Sequence, residues 1–269
     1  MTKLKKEKEQ NFKNPSVLIA GYGIVGKNLK KSFTWADLYD KYSKEKHAGL
    51  YKKAPVKKYD FCFVSVPTPP NDDGSADIQY VVDVLKEVNA EVYIIKSTIP
   101  PTTTEKLIKK TKKRIIFSPE YNGNTQHANV EHNFIILGGS QKDTFAVSQL
   151  YQYVSNAYIN IHQVDSRTAE LCKYMENSFL AAKVVFCNEF YRMAKILDVN
   201  YNVLREIFCL DPRVNKSHTF VYEKYPFYDS KCFNKDLPAI VKQMQLLGYS
   251  TNFIQAIIDN NERHKKDIK

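Results

Sequence analysis

The chain has no apolar run near the roughly 18 residues that a membrane-spanning helix needs, and no signal-peptide hydrophobic region at its N-terminus. The expectation is a soluble protein that stays in the cytoplasm, with no membrane partner. It also lacks any C-x-x-C pair. Its five cysteines (Cys62, Cys172, Cys187, Cys209 and Cys232) are odd in number and widely spaced. That pattern fits neither a disulfide framework nor a zinc site, and it points to a reducing compartment and no metal. Internal repeats and low-complexity linkers are absent. No nucleic-acid motif accompanies the net charge of +11. The lysines therefore read as solvated surface, chiefly Lys3–Lys8 and Lys109–Arg114, and as attraction for a small anionic substrate rather than nucleic acid.

What is present is ordinary globular composition, 43% hydrophobic and 26% charged over 269 residues. Short β-branched runs alternate with amphipathic stretches at Val17–Ala20, Ala36–Asp40, Tyr59–Val66, Glu91–Lys96, Arg114–Ser118, Asn133–Leu137 and Tyr158–His162. Several are apolar throughout, which predicts an α/β fold with a Rossmann-type, doubly wound parallel sheet. Beyond Val164 the texture turns helical. Asp165 to about Leu197 has no Gly or Pro and places Leu171, Met175, Phe179, Ala182, Phe186, Phe190, Met193 and Leu197 at helical spacing. One long helix is expected there, with Ser166, Thr168 and Glu170 as its N-terminal capping chemistry. At that length it would link two domains or form a dimer seam. Shorter helices are predicted at Val203–Phe208, Leu237–Leu247 and Thr251–Arg263. The division is a basic tail (1–13), a dinucleotide-binding domain (14–164) and a small helical domain (165–269).

Val17–Ala20 leads directly into Gly21-x-Gly23-x-x-Gly26, and Lys27–Phe33 can open a helix. The first glycine permits a tight turn, the second lets a pyrophosphate approach, and the third lets helix and strand pack closely. Ile24 and Val25 complete the loop. Asp40 ends the next strand about 20 residues on, where a ribose-binding carboxylate belongs and favours NAD over NADP. Val66-Pro67-Thr68-Pro69 and Lys96-Ser97-Thr98-Ile99-Pro100 close two further strands, where ligands of open α/β sheets bind.

A second constellation lies in the helical half. Lys173 and Asn177 stand four residues apart on one helical face, away from the apolar stripe. As exposed residues they would simply be solvated. Cys232 sits between Lys231 and Lys235, a setting expected to lower its pKa, and Asp236 four residues on could move protons.

Taken in order, these segments resemble the UDP-glucose/GDP-mannose 6-dehydrogenase family of nucleotide-sugar dehydrogenases, from Val17 to about Arg263. The carriers are the glycine fingerprint, Val66–Pro69, Lys96–Pro100 and Ser118-Pro119-Glu120-Tyr121. To these add Thr168–Tyr174 with Asn177–Ala181, Asp211-Pro212-Arg213-Val214 and Cys232-Phe233-Asn234-Lys235-Asp236. The resemblance implies oxidation of a sugar primary alcohol to a carboxylate, using two NAD molecules and a covalent Cys232 intermediate. It gives Lys173 and Asn177 the oxyanion, Asp236 proton transfer, and Thr98 with Glu120 the hydrolytic water. NAD would contact Gly21, Gly23, Ile24, Val25, Gly26, Asp40, Val66, Pro67, Thr68, Ser97, Thr98 and Lys235. The sugar nucleotide would contact Tyr121, Asn124, Lys173, Asn177, Arg213 and Tyr228, and two chains would pair through the long helix.

Three features depart from that pattern. The glycine-rich approach to the cysteine is replaced by Tyr228-Asp229-Ser230-Lys231, which adds side chains and a negative charge near expected phosphates. The family's E-F-L-x-E loop becomes Glu120-Tyr121-Asn122-Gly123-Asn124. The family's third domain, a second α/β unit at the nucleotide pocket, is expected to be missing. A catalytically altered NAD-binding subunit is therefore the alternative to an active dehydrogenase.

Overall fold

The computed structural model describes residues 14–45, 47, 49–121, 132–155 and 159–267. The basic tail and Asn124 lie outside them. Eight strands form one sheet: β1 (Val17–Ala20), β2 (Asp37–Tyr39), β3 (Leu50–Tyr51), β4 (Tyr59–Val64), β5 (Ala90–Ile95), β6 (Arg114–Phe117), β7 (Phe134–Gly138) and β8 (Asn160–Val164). Their order is β3-β2-β1-β4-β5-β6-β7-β8, parallel at every pairing except β6 with β7. The first six strands have the doubly wound dinucleotide-binding order, with its switch point between β1 and β4. The two-residue β3 was not expected from the sequence, because Leu50-Tyr51 is too short to show a period.

Alternation along the strands sends side chains to two cores. Leu18, Ala20, Cys62, Val64, Tyr93, Ile95, Ile115 and Phe117 pack on one face with α2 (Gln79–Glu87) and α3 (Thr103–Thr111). Val17, Ile19, Phe63, Ile94, Ile116 and Leu137 pack on the other with α1 (Ile24–Ser32) and α4 (Gln141–Val154). Burial on both faces explains why these strands read as continuous apolar runs.

Helix α5 (Ser166–Ile196) then runs 31 residues, roughly 46 Å at 1.5 Å per residue. Its cap is Asp165, whose side chain accepts from the Thr168 amide at 2.9 Å. This corrects the expected cap, since Ser166 already lies inside the helix and Glu170 points elsewhere. Helices α6 (Tyr201–Phe208), α7 (Lys231–Leu246) and α8 (Asn252–Lys266) follow. Helix α7 begins six residues before the expected Leu237, because Ser230 caps it by accepting from the Phe233 amide at 3.0 Å, and it carries Pro238 inside. Its early start places Cys232 in a helical first turn.

The apolar stripe of α5 faces outward. Leu171, Met175, Phe179, Phe186, Phe190, Met193 and Leu197 are all exposed, Met175 to 73%. The buried face carries Ala169, Glu170, Lys173, Tyr174, Asn177, Ala181 and Asn188 instead. Solvent exposure of Lys173 and Asn177 is thereby corrected.

Candidate active site

At the end of β1 the chain turns through Gly21 at φ +96°, donating its amide to the Tyr39 carbonyl at 2.8 Å. A Cβ at Gly21 would lie 2.4 Å from the Ser65 carbonyl, and one at Gly26 would lie 2.0 Å from the Gly21 carbonyl. A Cβ at Gly23 would meet nothing within 4 Å. Two glycines are thus needed by the protein itself, and the third borders open space. No side chain caps α1, so the amides of its first turn, at Ile24, Val25 and Gly26, point into that space as an anion site. Asp40 stands beside the loop and accepts from the amides of Tyr22, Tyr42 and Ser43 at 2.8–2.9 Å. A carboxylate has about four lone-pair sites, so one remains for a ribose hydroxyl. The cradle fits a dinucleotide.

The loops after β4 and β5 are tied to each other. Ser97 donates to the Val66 carbonyl at 2.6 Å, and Thr68 donates to the Thr98 carbonyl at 2.9 Å. Pro67 between them is exposed. Next to them lies a buried cation that sequence reasoning did not single out. Lys96 is 3.5 Å from Glu120 and donates to the Pro119 carbonyl at 3.2 Å. Burial acts to lower its pKa, but Tyr151 and Glu120 outweigh that and hold it above the usual lysine value.

Helices α5 and α7 supply the other wall. Asn177 donates to Asp236 at 2.6 Å, both being buried, and Lys235 pairs with the other Asp236 oxygen. Lys173 pairs with Glu176 at 2.6 Å and lies 4.6 Å from the centre of the Tyr121 ring. Cys232 lies in the field of Asp236, Lys235 and Lys173. Its thiol pKa is raised, first by the protein mass around the sulfur, although the residue keeps a solvent-accessible face, and then by Asp236. Lys235 and Lys173 pull it down less strongly. The lowered pKa expected from flanking lysines is thereby corrected, because desolvation outweighs the pull of the nearby lysines.

Other site candidates fall elsewhere. Arg213 pairs with Asp211 and is 88% exposed in its side chain. It lines a cavity of about 590 Å³ on the stripe side of α5, with Phe179, Phe186, Phe208 and Phe253. Tyr228 is buried against Phe233, and its amide donates to Asn261 at 2.8 Å. Asp229 is 3.6 Å from Lys265. Among the described residues no group of three or more His, Cys, Asp or Glu could hold a metal ion, and no helix is long and apolar enough to cross a membrane.

Residues 36–155 match the NAD binding domain of the UDP-glucose/GDP-mannose dehydrogenase family, and residues 167–263 match its central domain. A putative UDP-glucose 6-dehydrogenase of Bacillus subtilis is 28% identical over 78% of this chain and 52% of its own length. A UDP-glucose 6-dehydrogenase of Rickettsia bellii is 26% identical over 89% of this chain and 56% of its own. The chain therefore spans about half the length of the curated relatives it matches. In fold it is similar to a UDP-glucose dehydrogenase structure from Pyrobaculum islandicum, with TM-score 0.78 and 24% identity over 94% of this chain and 69% of that one. With its fingerprint built for NAD and both domain models matched in order, the chain belongs to the UDP-glucose/GDP-mannose dehydrogenase family.

Proposed function

We propose that the protein is an NAD-dependent nucleotide-sugar 6-dehydrogenase of the UDP-glucose type, acting through Cys232. The observation that carries this reading is the chain from buried Asn177 and Asp236 to half-buried Lys235, with Cys232 in the field of Asp236, Lys235 and Lys173. Bound NAD supplies a two-electron acceptor, one molecule for each oxidation level. The Cys232 sulfur adds to the aldehyde carbon, forming a C–S bond. The carbonyl oxygen gains negative charge, which the Lys173 ammonium and the Asn177 amide stabilise. Because the resting group is a thiol, its proton must leave as the bond forms, and Asp236 is the nearby carboxylate to relay it. Once the adduct has been oxidised to a thioester, a water held by Thr98 and Glu120 attacks the carbonyl, releasing the carboxylate and returning the thiol. Lys96 keeps Glu120 in reach of that water.

In the same reading, NAD lies along Gly21–Gly26, Asp40, Val66–Thr68, Ser97 and Lys235. The partner is an anionic sugar nucleotide in the cytoplasm, not nucleic acid or a membrane, and residues 14–164 and 165–269 are two domains. The exposed stripe of α5 is the seam of a homodimer, since contiguous apolar faces of this size mark interaction sites. Arg213 and its cavity lie on that seam, so a second copy could cover them.

Purified protein given NAD and a panel of nucleotide sugars should yield about two NADH per sugar, the stoichiometry of alcohol-to-acid oxidation. Cys232→Ser should abolish acid formation. An alternative rests on one observation: Lys173 is already paired with Glu176 and covered by Tyr121. Normal NAD binding with no NADH from any sugar would favour that catalytically altered subunit.

A further inference from the structure

Glu170 lies one helical turn before Lys173 on α5 and is fully buried. Its carboxylate does not serve its own helix. It reaches the start of α3, accepting from the Thr102 amide at 2.7 Å, the Thr104 amide at 2.8 Å and the Thr104 hydroxyl at 2.6 Å. Thr102, the residue just before α3, is in left-handed conformation at φ +77°, and the helix has no side-chain cap of its own. Glu170 is thus an N-cap supplied by another helix, where a negative charge also meets the positive end of the helix dipole. Helix α7 adds a second hold. Gln243 donates to the Pro101 carbonyl at 3.0 Å and lies 3.4 Å from the Thr102 hydroxyl. Between Thr98 and Thr102 the chain reads Ile99-Pro100-Pro101, with Ile99 fully buried and both prolines restricting the backbone. A stiff connector of this kind transmits the position of Thr102 back to Thr98.

We infer that Glu170 is a positioning residue of the active site: by clamping Thr102 and Thr104 it seats the Ser97–Pro101 loop against α5, and so sets Thr98 relative to Lys173 and Asn177. The inference rests on the reading of those three residues given under the proposed function. The carboxylate itself is fully buried against the start of α3, so its role is positioning rather than catalytic.

The test, run at pH 8 where the Glu170 carboxyl is ionised, compares the full chain with Glu170→Gln, which keeps the shape and loses the charge, and with Thr104→Val, which removes one of the three donors. Amide hydrogen exchange over residues 96–106 reads the loop directly. Glu170→Gln should speed exchange at Thr102–Thr104 and also at Ser97–Ile99 by about tenfold, the scale of one lost charge-assisted hydrogen bond. Thr104→Val should act in the same direction by less, and it decides the matter if the first variant does not fold. With NAD and UDP-glucose, kcat should fall by about tenfold while KM for the sugar stays near wild type, since positioning acts on the chemical step. Acceleration confined to Thr102–Thr104, with Ser97–Ile99 at the wild-type rate, would reduce Glu170 to a helix cap and overturn the inference. So would an unchanged kcat. If the wild-type protein yields no NADH, the dehydrogenase reading fails by itself, while loop exchange still decides the role of Glu170.

Discussion

In the sheet half, apolar residues point where their chemistry suggests: Leu18, Ile19, Ala20, Phe63, Val64, Ile94 and Ile95 are fully buried, divided between two cores. Helix α5 reverses the rule. Its phenylalanines and methionines face out, while Glu170, Lys173, Asn177 and Asn188 face in. A buried polar group costs several kcal/mol unless it is paired, so an inner face of this kind persists only with partners or a task. Here Glu170, Lys173 and Asn177 each have a named partner. The contrast separates a half whose apolar residues are covered by its own chain from a helix whose polar residues are buried and whose apolar stripe is exposed.

The largest expected effect breaks the self-sufficient half. Gly26→Ala puts a methyl group 2.0 Å from the Gly21 carbonyl, so the fingerprint turn must open. Overpacking of a rigid backbone contact costs about 1–3 kcal/mol and occasionally more. Denaturant unfolding should show that loss, and calorimetric titration should show NAD binding abolished. Gly23→Ala sharpens the point, because its methyl group meets no protein atom within 4 Å. Stability should hold while NAD affinity drops. Equal stability losses at the two positions would refute the division of labour among these glycines.

A smaller effect probes the inverted half. Burial raises the Glu170 pKa from 4.5 to about 7, outweighing the three hydrogen bonds that lower it. Its charged neighbours are Glu105 on α3, which raises it further, and Arg167, paired with Glu105; Tyr174 lies nearby on α5. The native state therefore binds the proton more tightly than the unfolded chain. The stability contributed is fully present below about pH 4.5 and is lost as pH rises through about 7. It amounts to something on the order of 3 kcal/mol. Unfolding free energies at pH 5 and pH 8 should differ by less in Glu170→Gln than in wild type. An identical pH slope in both would remove Glu170 from the linkage.

These two sites also show what could be read from the sequence. The glycine fingerprint was legible because strand, turn and helix each carry a local signal, and geometry then gave each glycine its reason. The doubly wound parallel sheet followed from the same alternation, but the two-residue β3 carried no period and the strand order is visible only in the structure. On α5 the period was legible but its direction was not. A helical stripe of Leu, Met and Phe says that one face is apolar, and the period is the same whether that face meets a core or a partner. The polar residues Glu170, Lys173 and Asn177 share a helical period too, which was the available signal that they form a face. Cys232 was singled out, but its pKa was misjudged, because the flanking lysines are visible in sequence and desolvation is not. Lys96 and the clamp made by Glu170 depend on contacts between distant segments, which spacing cannot report.

The smallest expected effect on the isolated chain concerns the outward stripe. Phe186 is 51% exposed and packs against Phe190, the rings tilted by 40° with centres 4.7 Å apart. Phe186→Glu removes little buried area from the single chain, so its unfolding free energy at high dilution should change by about 0.5 kcal/mol or less. The same charge placed in a seam between two copies would be desolvated without a partner and would disfavour association. Light scattering should then report a dimer for wild type and a monomer for the variant. Truncation of a phenylalanine in a true core costs about 3–5 kcal/mol. A loss of that size at Phe186 under monomeric conditions would mean that the stripe is already covered by its own chain, and the two halves would no longer differ in kind.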